Sequence, residues 1–72
     1  MSETETVNPE AADFLDRALA RVESPSIRAW ARTEHNLPLM LRLATLAIDK
    51  RGNNPDNELR FATFVTCEAM GL

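Results

Sequence analysis

Cys67 and His35 come nearest to a catalytic pair, since each is the only residue of its type in the chain. A thiol becomes a strong nucleophile when a neighbouring base or a helix N-terminus favours the thiolate. Cys67 instead lies near the C-terminal end of a predicted helix, where the helix dipole disfavours a negative charge. We therefore expect an inert, buried or half-buried thiol and a solvated histidine near a helix end. Neither residue has the neighbouring ligands that a metal site needs, so no metal site is predicted.

The acidic residues are numerous enough to supply a general acid and a general base, but nothing in their spacing selects two of them. They lie on predicted helix surfaces and in first helical turns, where a negative charge is favourable. The only glycines, Gly52 and Gly71, form no phosphate-binding loop. We therefore predict no catalytic residue, no cofactor and no enzymatic activity. The acids considered are Asp13, Asp16, Glu23, Glu34, Asp49, Asp56, Glu58 and Glu68.

Two groups of basic residues offer an alternative function, the binding of nucleic acid. Arg28, Arg32 and His35 share one face of a predicted helix, and Lys50 and Arg51 precede a polar loop. Such cations can contact phosphates. A recognition helix, however, needs polar side chains towards the groove of DNA, and the helix in that position is almost wholly apolar. Nucleic-acid binding through Arg28, Arg32, Lys50 and Arg51 is therefore the second hypothesis.

The most apolar stretch of the chain is LPLMLRLATLAI, from Leu37 to Ile48. At about 100° per residue, its apolar side chains cover roughly two-thirds of a helix circumference, more than one neighbouring helix could cover. We therefore predict a central apolar helix over about residues 38–50. Apolar area that the other helices leave uncovered would mark an interface. The predicted partner-binding residues are Leu41 and Ile48 on this helix and Phe61 and Phe64 on the next.

Helix starts and stops divide the chain into four predicted helices. Three of the helices begin at a capping side chain followed by a proline, which suits the first helical position. These pairs are Asn8-Pro9, Ser24-Pro25 and Asn54-Pro55. The second helix is expected to run to about His35, Asn36 to cap the third, and Gly52 to end the third in a left-handed conformation.

The first and fourth predicted helices each have an apolar face expected in the core. On the first helix this face consists of Ala11, Phe14, Leu15, Ala18, Leu19 and Val22. On the fourth it consists of Phe61, Ala62, Val65 and Ala69, with Leu59 and Met70 at its margin. Phe64 lies between Arg60 and Glu68 and away from that face, so it either forms a second contact surface or shows that the face is misplaced.

A chain of 72 residues forms one domain with a small core. Residues 1–7, MSETETV, lack apolar periodicity, so we expect a flexible acidic tail before a single helical domain over residues 8–72. One cysteine allows no intrachain disulfide, which leaves oligomerisation as a source of added stability. The apolar run is too short to span a bilayer and MSETETV is no signal peptide, so we expect a cytoplasmic protein without membrane contact.

These observations predict an all-α protein, a small bundle of four short helices around a central apolar helix. The predicted function is that of a non-enzymatic interaction module, an adaptor or a modulator of another protein, as small cytoplasmic and phage-encoded proteins often are. Its expected partners are another protein, a second copy of itself, or both. The homodimer is expected to form through helices three and four.

Overall fold

The computed structural model describes residues 9–72, and the predicted acidic tail and the Asn8 cap lie outside the described residues. Four helices follow one another: α1 (Pro9–Ala20), α2 (Pro25–Ala31), α3 (Leu37–Arg51) and α4 (Pro55–Met70). The described part of the chain contains no β-strand. The prediction of a small all-α bundle of four helices is confirmed. Within residues 9–72, no helix is long and apolar enough to cross a membrane.

Two of the predicted caps are confirmed in detail. The Ser24 hydroxyl accepts a hydrogen bond from the backbone N–H of Ile27, at 3.3 Å, at the start of α2. The Asn54 side-chain oxygen accepts one from the backbone N–H of Asn57, at 2.9 Å, at the start of α4. Each bond satisfies a donor that the first turn of a helix otherwise leaves without a partner.

Asn36 occupies the expected N-cap position of α3 but makes no side-chain cap, and α2 is shorter than predicted. Asn36 has a helical backbone conformation and its side chain makes no capping hydrogen bond. Its amide instead donates to the carbonyl oxygen of Trp30, at 3.0 Å, as does the hydroxyl of Thr33. These side-chain donors satisfy a carbonyl at the end of a helix that stops at Ala31, four residues before His35.

Helix α3 ends at Gly52, which has a φ of 88° and donates its N–H to the carbonyl oxygen of Ile48 at 2.7 Å. The positive φ agrees with the sequence-based expectation, although the ψ of 169° lies outside the left-handed helical region. Residues with a Cβ rarely adopt this backbone conformation, so glycine allows the sharp change of direction between α3 and α4.

Helix α1 provides the largest share of the core. Its whole predicted apolar face is buried, and it packs against both α3 and α4. The ring of Phe14 meets the ring of Phe61 edge to face, with the ring centroids 5.7 Å apart. The remaining buried apolar residues are Ala31 from α2, Met40 and Ala44 from α3, and Phe61, Ala62 and Val65 from α4.

Helix α3 buries less of its surface than its apolar sequence led us to expect. It contacts α1 and α4, but only Met40 and Ala44 on one face are fully buried. Leu39 and Leu46 remain 47% and 52% exposed. Two neighbouring helices cannot enclose a helix that is apolar around two-thirds of its circumference. The expected central position of this helix therefore holds for its inner face alone.

Candidate protein-interaction surface

An apolar groove separates α3 from α4 on the outside of the bundle, and we call it the α3–α4 groove. Its volume is about 220 Å³. Its walls consist of Leu43, Leu46, Ala47 and Lys50 from α3 and of Phe61 and Phe64 from α4. Only one of these side chains, Lys50, carries a polar group, so the groove offers mainly van der Waals contact and apolar area to an occupant.

Phe61 and Phe64 connect this groove to the core. Phe61 is buried and lies between the rings of Phe14 and Phe64, with its centroid 5.7 Å from the first and 5.6 Å from the second. Phe64 is 37% exposed at the edge of the groove. Phe64 therefore forms part of a second surface, which explains why it does not match the buried face of α4.

One stripe of side chains on α3 lines this groove and continues beyond it. Leu39, Leu43, Leu46 and Lys50 follow one another at spacings of four, three and four residues, which places them on one side of the helix. Leu39 extends the apolar area beyond the groove itself. We define the α3–α4 surface as this stripe together with Phe61 and Phe64. Two of its leucines are about half exposed, a large exposure for residues that gain free energy by leaving water.

The predicted partner-binding residues divide between this surface and the core. Phe61 and Phe64 line the α3–α4 groove, although buried Phe61 contributes its ring from beneath. Leu41 and Ile48 are partly buried against the core cluster and do not line the groove. Leu39, Leu43 and Leu46 were not predicted as interface residues. Their spacing places them on one side of α3, but it did not distinguish that side because the other faces of α3 are apolar too.

The basic residues proposed for nucleic-acid contacts have different local roles. The Arg28 guanidinium donates to the carbonyl oxygen of Val22, and Arg32 forms an ion pair with Asp16 at 2.9 Å. Lys50 lines the apolar groove, and Arg51 is exposed at the end of α3. Two of the four cations, Arg28 and Arg32, therefore form a hydrogen bond or an ion pair within the chain. Binding of nucleic acid stays a prediction.

Among the acids of residues 9–72, Glu58 is the one that is buried, and its carboxylate is paired with two arginines. Its two oxygens accept hydrogen bonds from Arg17, at 2.7 Å, and from Arg21, at 3.2 Å. The hydrogen bond from Arg17, with help from Arg21, lowers the pKa of Glu58 although burial acts in the opposite direction. Arg17 also donates to the side-chain oxygen of Asn53, at 2.6 Å. This cluster joins α1 to the start of α4.

We expect Glu58→Gln to lower the free energy of unfolding by about 1–2 kcal/mol near pH 7, because it removes the charge from two hydrogen bonds. The cost stays modest since Arg17 and Arg21 are partly exposed and can be hydrated. With a lowered pKa in the folded state, Glu58 stabilises the protein above its unfolded pKa of about 4.3. This contribution is lost as the pH falls through the lowered pKa.

Urea unfolding between pH 7 and pH 2 measures this effect. The variant should lose less stability than the wild type as the pH falls below about 5. Glu34→Gln, at an exposed acid, is the matched control and should keep the wild-type pH dependence. Equal pH dependence in Glu58→Gln and the wild type would show that the pair with Arg17 and Arg21 does not operate in solution.

Cys67 and His35 occupy separate parts of the structure. Cys67 is half-buried, in agreement with the sequence analysis, and lines a second groove of about 450 Å³ between α2 and α4. Ile27, Leu59 and Met70 share that groove, and His35 is not among the residues that line it. His35 is exposed in the turn after α2.

Within residues 9–72, no group of three or more His, Cys, Asp or Glu side chains is arranged to hold a metal ion. The described structure has a groove on each side of α4, and the one between α3 and α4 is almost wholly apolar. Comparison of the chain with models of known protein families, with curated proteins and with solved structures gave no match.

Proposed function

We propose that this protein is a non-enzymatic interaction module that forms a homodimer through the α3–α4 surface. The observation that carries the proposal is the exposure of Leu46 and Phe64 in the same apolar groove, with Leu39 also exposed on the same stripe of α3. Contiguous apolar area of this kind on the outside of a protein usually belongs to an interface. Full burial of an exposed leucine contributes about 1.5–3 kcal/mol, so covering a leucine that is already half buried contributes about half of that.

The spacing of residues on this surface suits a second copy of the chain. The α3 stripe has the alternating spacing of four and three residues with which helices pack side by side. Two copies related by a two-fold axis would place α3 and α4 of one chain against those of the other, as in a four-helix interface. A domain of this size also gains stability from assembly, because its own core is small.

The proposal includes the wider role of an adaptor or a modulator in the cytoplasm. A dimer presents each of its outer charged faces twice, which raises the avidity for a partner that has two binding sites. The single cysteine forms no disulfide within the chain, which suits a reducing compartment.

Leu46→Asp is expected to weaken the dimer by at least about thirtyfold, because a charge would be buried at the centre of the interface. The chain offers a closely matched control in Leu59→Asp. Leu59 is 53% exposed, against 52% for Leu46, but it lies on the side of α4 that faces the second groove. The measurement is the native mass by light scattering over a range of concentrations, with circular dichroism as the check that both variants stay helical.

The proposal predicts a concentration-dependent dimer for the wild type and for Leu59→Asp, and a monomer for Leu46→Asp. A wild type that is monomeric at all concentrations overturns it. Dissociation of the Leu59→Asp variant with retention of the Leu46→Asp dimer would instead assign the interface to the second groove. Binding to DNA or RNA that weakens steeply with salt, in a protein that stays monomeric, would favour the nucleic-acid hypothesis.

A further inference from the structure

The α3–α4 surface includes one cation, Lys50, while one anion, Glu68, lies on α4 next to its aromatic residues. Lys50 is the last member of the α3 stripe and lines the groove. On α4, Phe61, Phe64 and Glu68 follow one another at spacings of three and four residues, so Glu68 continues the line of the two aromatic residues. Both charged residues are exposed, and within residues 9–72 neither forms an ion pair.

The two charges lie towards opposite ends of the surface. Lys50 is close to the end of α3, which a three-residue connection, residues 52–54, joins to the start of α4. Glu68 is near the other end of α4, two helical turns or about 10 Å beyond Phe61. Along the two lines of residues, Lys50 therefore makes the end beside the connection the positive end, and Glu68 makes the opposite end the negative end, with the apolar middle around Leu46 between them. Two further exposed charges, Arg42 and Asp49, flank the α3 stripe on its outer side.

From this charge arrangement we infer that the two copies pair in antiparallel fashion, with Lys50 of each chain beside Glu68 of the other. The inference rests on the proposed dimer and adds its orientation. In this dimer a two-fold axis crosses the apolar middle of the surface at right angles to its long direction. The positive end of each copy then lies opposite the negative end of the other, which gives two equivalent ion pairs. The apolar middle supplies the affinity, and the two ion pairs select the orientation and the partner.

Other arrangements bring like charges together. If the two copies met with equivalent ends in contact, Lys50 would face Lys50 and Glu68 would face Glu68, which is unfavourable in both places. A surface of uniform charge would repel its own copy in every orientation. For Lys50 and Glu68, the antiparallel orientation is the one that pairs opposite charges, which favours a second copy over an unrelated apolar helix as the occupant.

Charge reversal tests the inference, and the mixture of two variants is the decisive sample. Lys50→Glu alone places carboxylates opposite each other at both ends of the dimer, and Glu68→Lys alone places ammonium groups opposite each other. We expect each variant to raise the dimer dissociation constant about tenfold at low ionic strength, where exposed charges are least screened. In an equimolar mixture, each heterodimer has opposite charges at both ends, so the dissociation constant should return to within about threefold of the wild-type value.

Sedimentation equilibrium measures these constants for each variant and for the mixture. Arg51→Glu and Glu34→Lys are matched controls, because they change the net charge equally at exposed positions outside the α3–α4 surface. Both controls should dimerise as the wild type does, and their mixture should show no gain.

The outcomes separate this inference from the proposed function. If Leu46→Asp is monomeric but mixing Lys50→Glu with Glu68→Lys restores no dimer, the interface stands and the antiparallel pairing is wrong. Single variants that dimerise no more weakly than the controls also overturn the pairing. If mixing Lys50→Glu with the wild type strengthens association, the copies meet with equivalent ends in contact. A wild type that never dimerises overturns the proposed function and the inference together.

Discussion

Phe14→Ala is expected to lower the free energy of unfolding by about 3–5 kcal/mol, the cost of removing a large aromatic side chain from a packed core. Phe14 is fully buried on α1, and its ring meets Phe61 of α4 edge to face. The substitution therefore leaves a cavity between the helix that supplies the largest share of the core and the helix that carries the aromatic wall of the groove. It also removes an aromatic pair, which adds to the loss from burial alone.

Urea unfolding followed by circular dichroism measures this loss, at one fixed protein concentration because a dimer makes the apparent stability depend on concentration. Leu59→Ala, at a half-exposed leucine outside the core, is the control and should cost less than about 1 kcal/mol. If Phe14→Ala does not fold at all, Phe14→Leu, which retains most of the volume, should still fold and lose about 1–2 kcal/mol. A loss below about 1 kcal/mol for Phe14→Ala would show that α1 is not the centre of the core.

Asn57→Asp is expected to cost about 3 kcal/mol near pH 7, although it changes the shape of the side chain very little. The buried amide of Asn57 donates to the carbonyl oxygens of Ala47, at 3.0 Å, and of Gly52, at 2.8 Å. It thereby holds the end of α3 against the first turn of α4. A carboxylate at this position has no proton to donate, so it loses both hydrogen bonds and faces two oxygens instead.

The pH dependence of this loss distinguishes charge from packing. Protonation of the new carboxyl group restores a donor, so its pKa in the folded state should lie above the usual value and the loss should shrink as the pH falls towards about 4. Asn53→Asp, the same chemical change at an exposed position beside Arg17, should cost less than about 1 kcal/mol. An equal cost in the two variants would argue against a structural role for the Asn57 amide.

The two caps and the inner face of α1 are features that sequence reasoning recovered correctly. Ser24 and Asn54 bond to backbone N–H groups three residues along, so their partners are set by local geometry. On α1 a single face is apolar, and only one rotation of the helix can bury Phe14 and its neighbours. The capping partners and the buried face of α1 can therefore be predicted without knowledge of the rest of the fold.

The end of α2 and the role of Glu58 show where such reasoning fails. Asn36 has two possible partners, the first turn of α3 and the carbonyl of Trp30, and it bonds to the carbonyl. Glu58 is one acid among many until the packing of α1 against α4 brings Arg17 and Arg21 to its carboxylate, from 41 and 37 residues away in sequence. Spacing along a helix carries no information about partners on another helix.

The sequence by itself determined that the chain forms four helices, where two of them begin, and which face of α1 is buried, because these depend on hydrogen bonds and periodicity within a few residues. Only the tertiary structure decided which side of α3 remains outside. Since α3 is apolar on most sides, several rotations would bury a similar area, and the docking of α1 and α4 selects the one that covers Met40 and Ala44. That same choice leaves Leu39, Leu46 and Phe64 exposed together, which makes the candidate interface a property of packing.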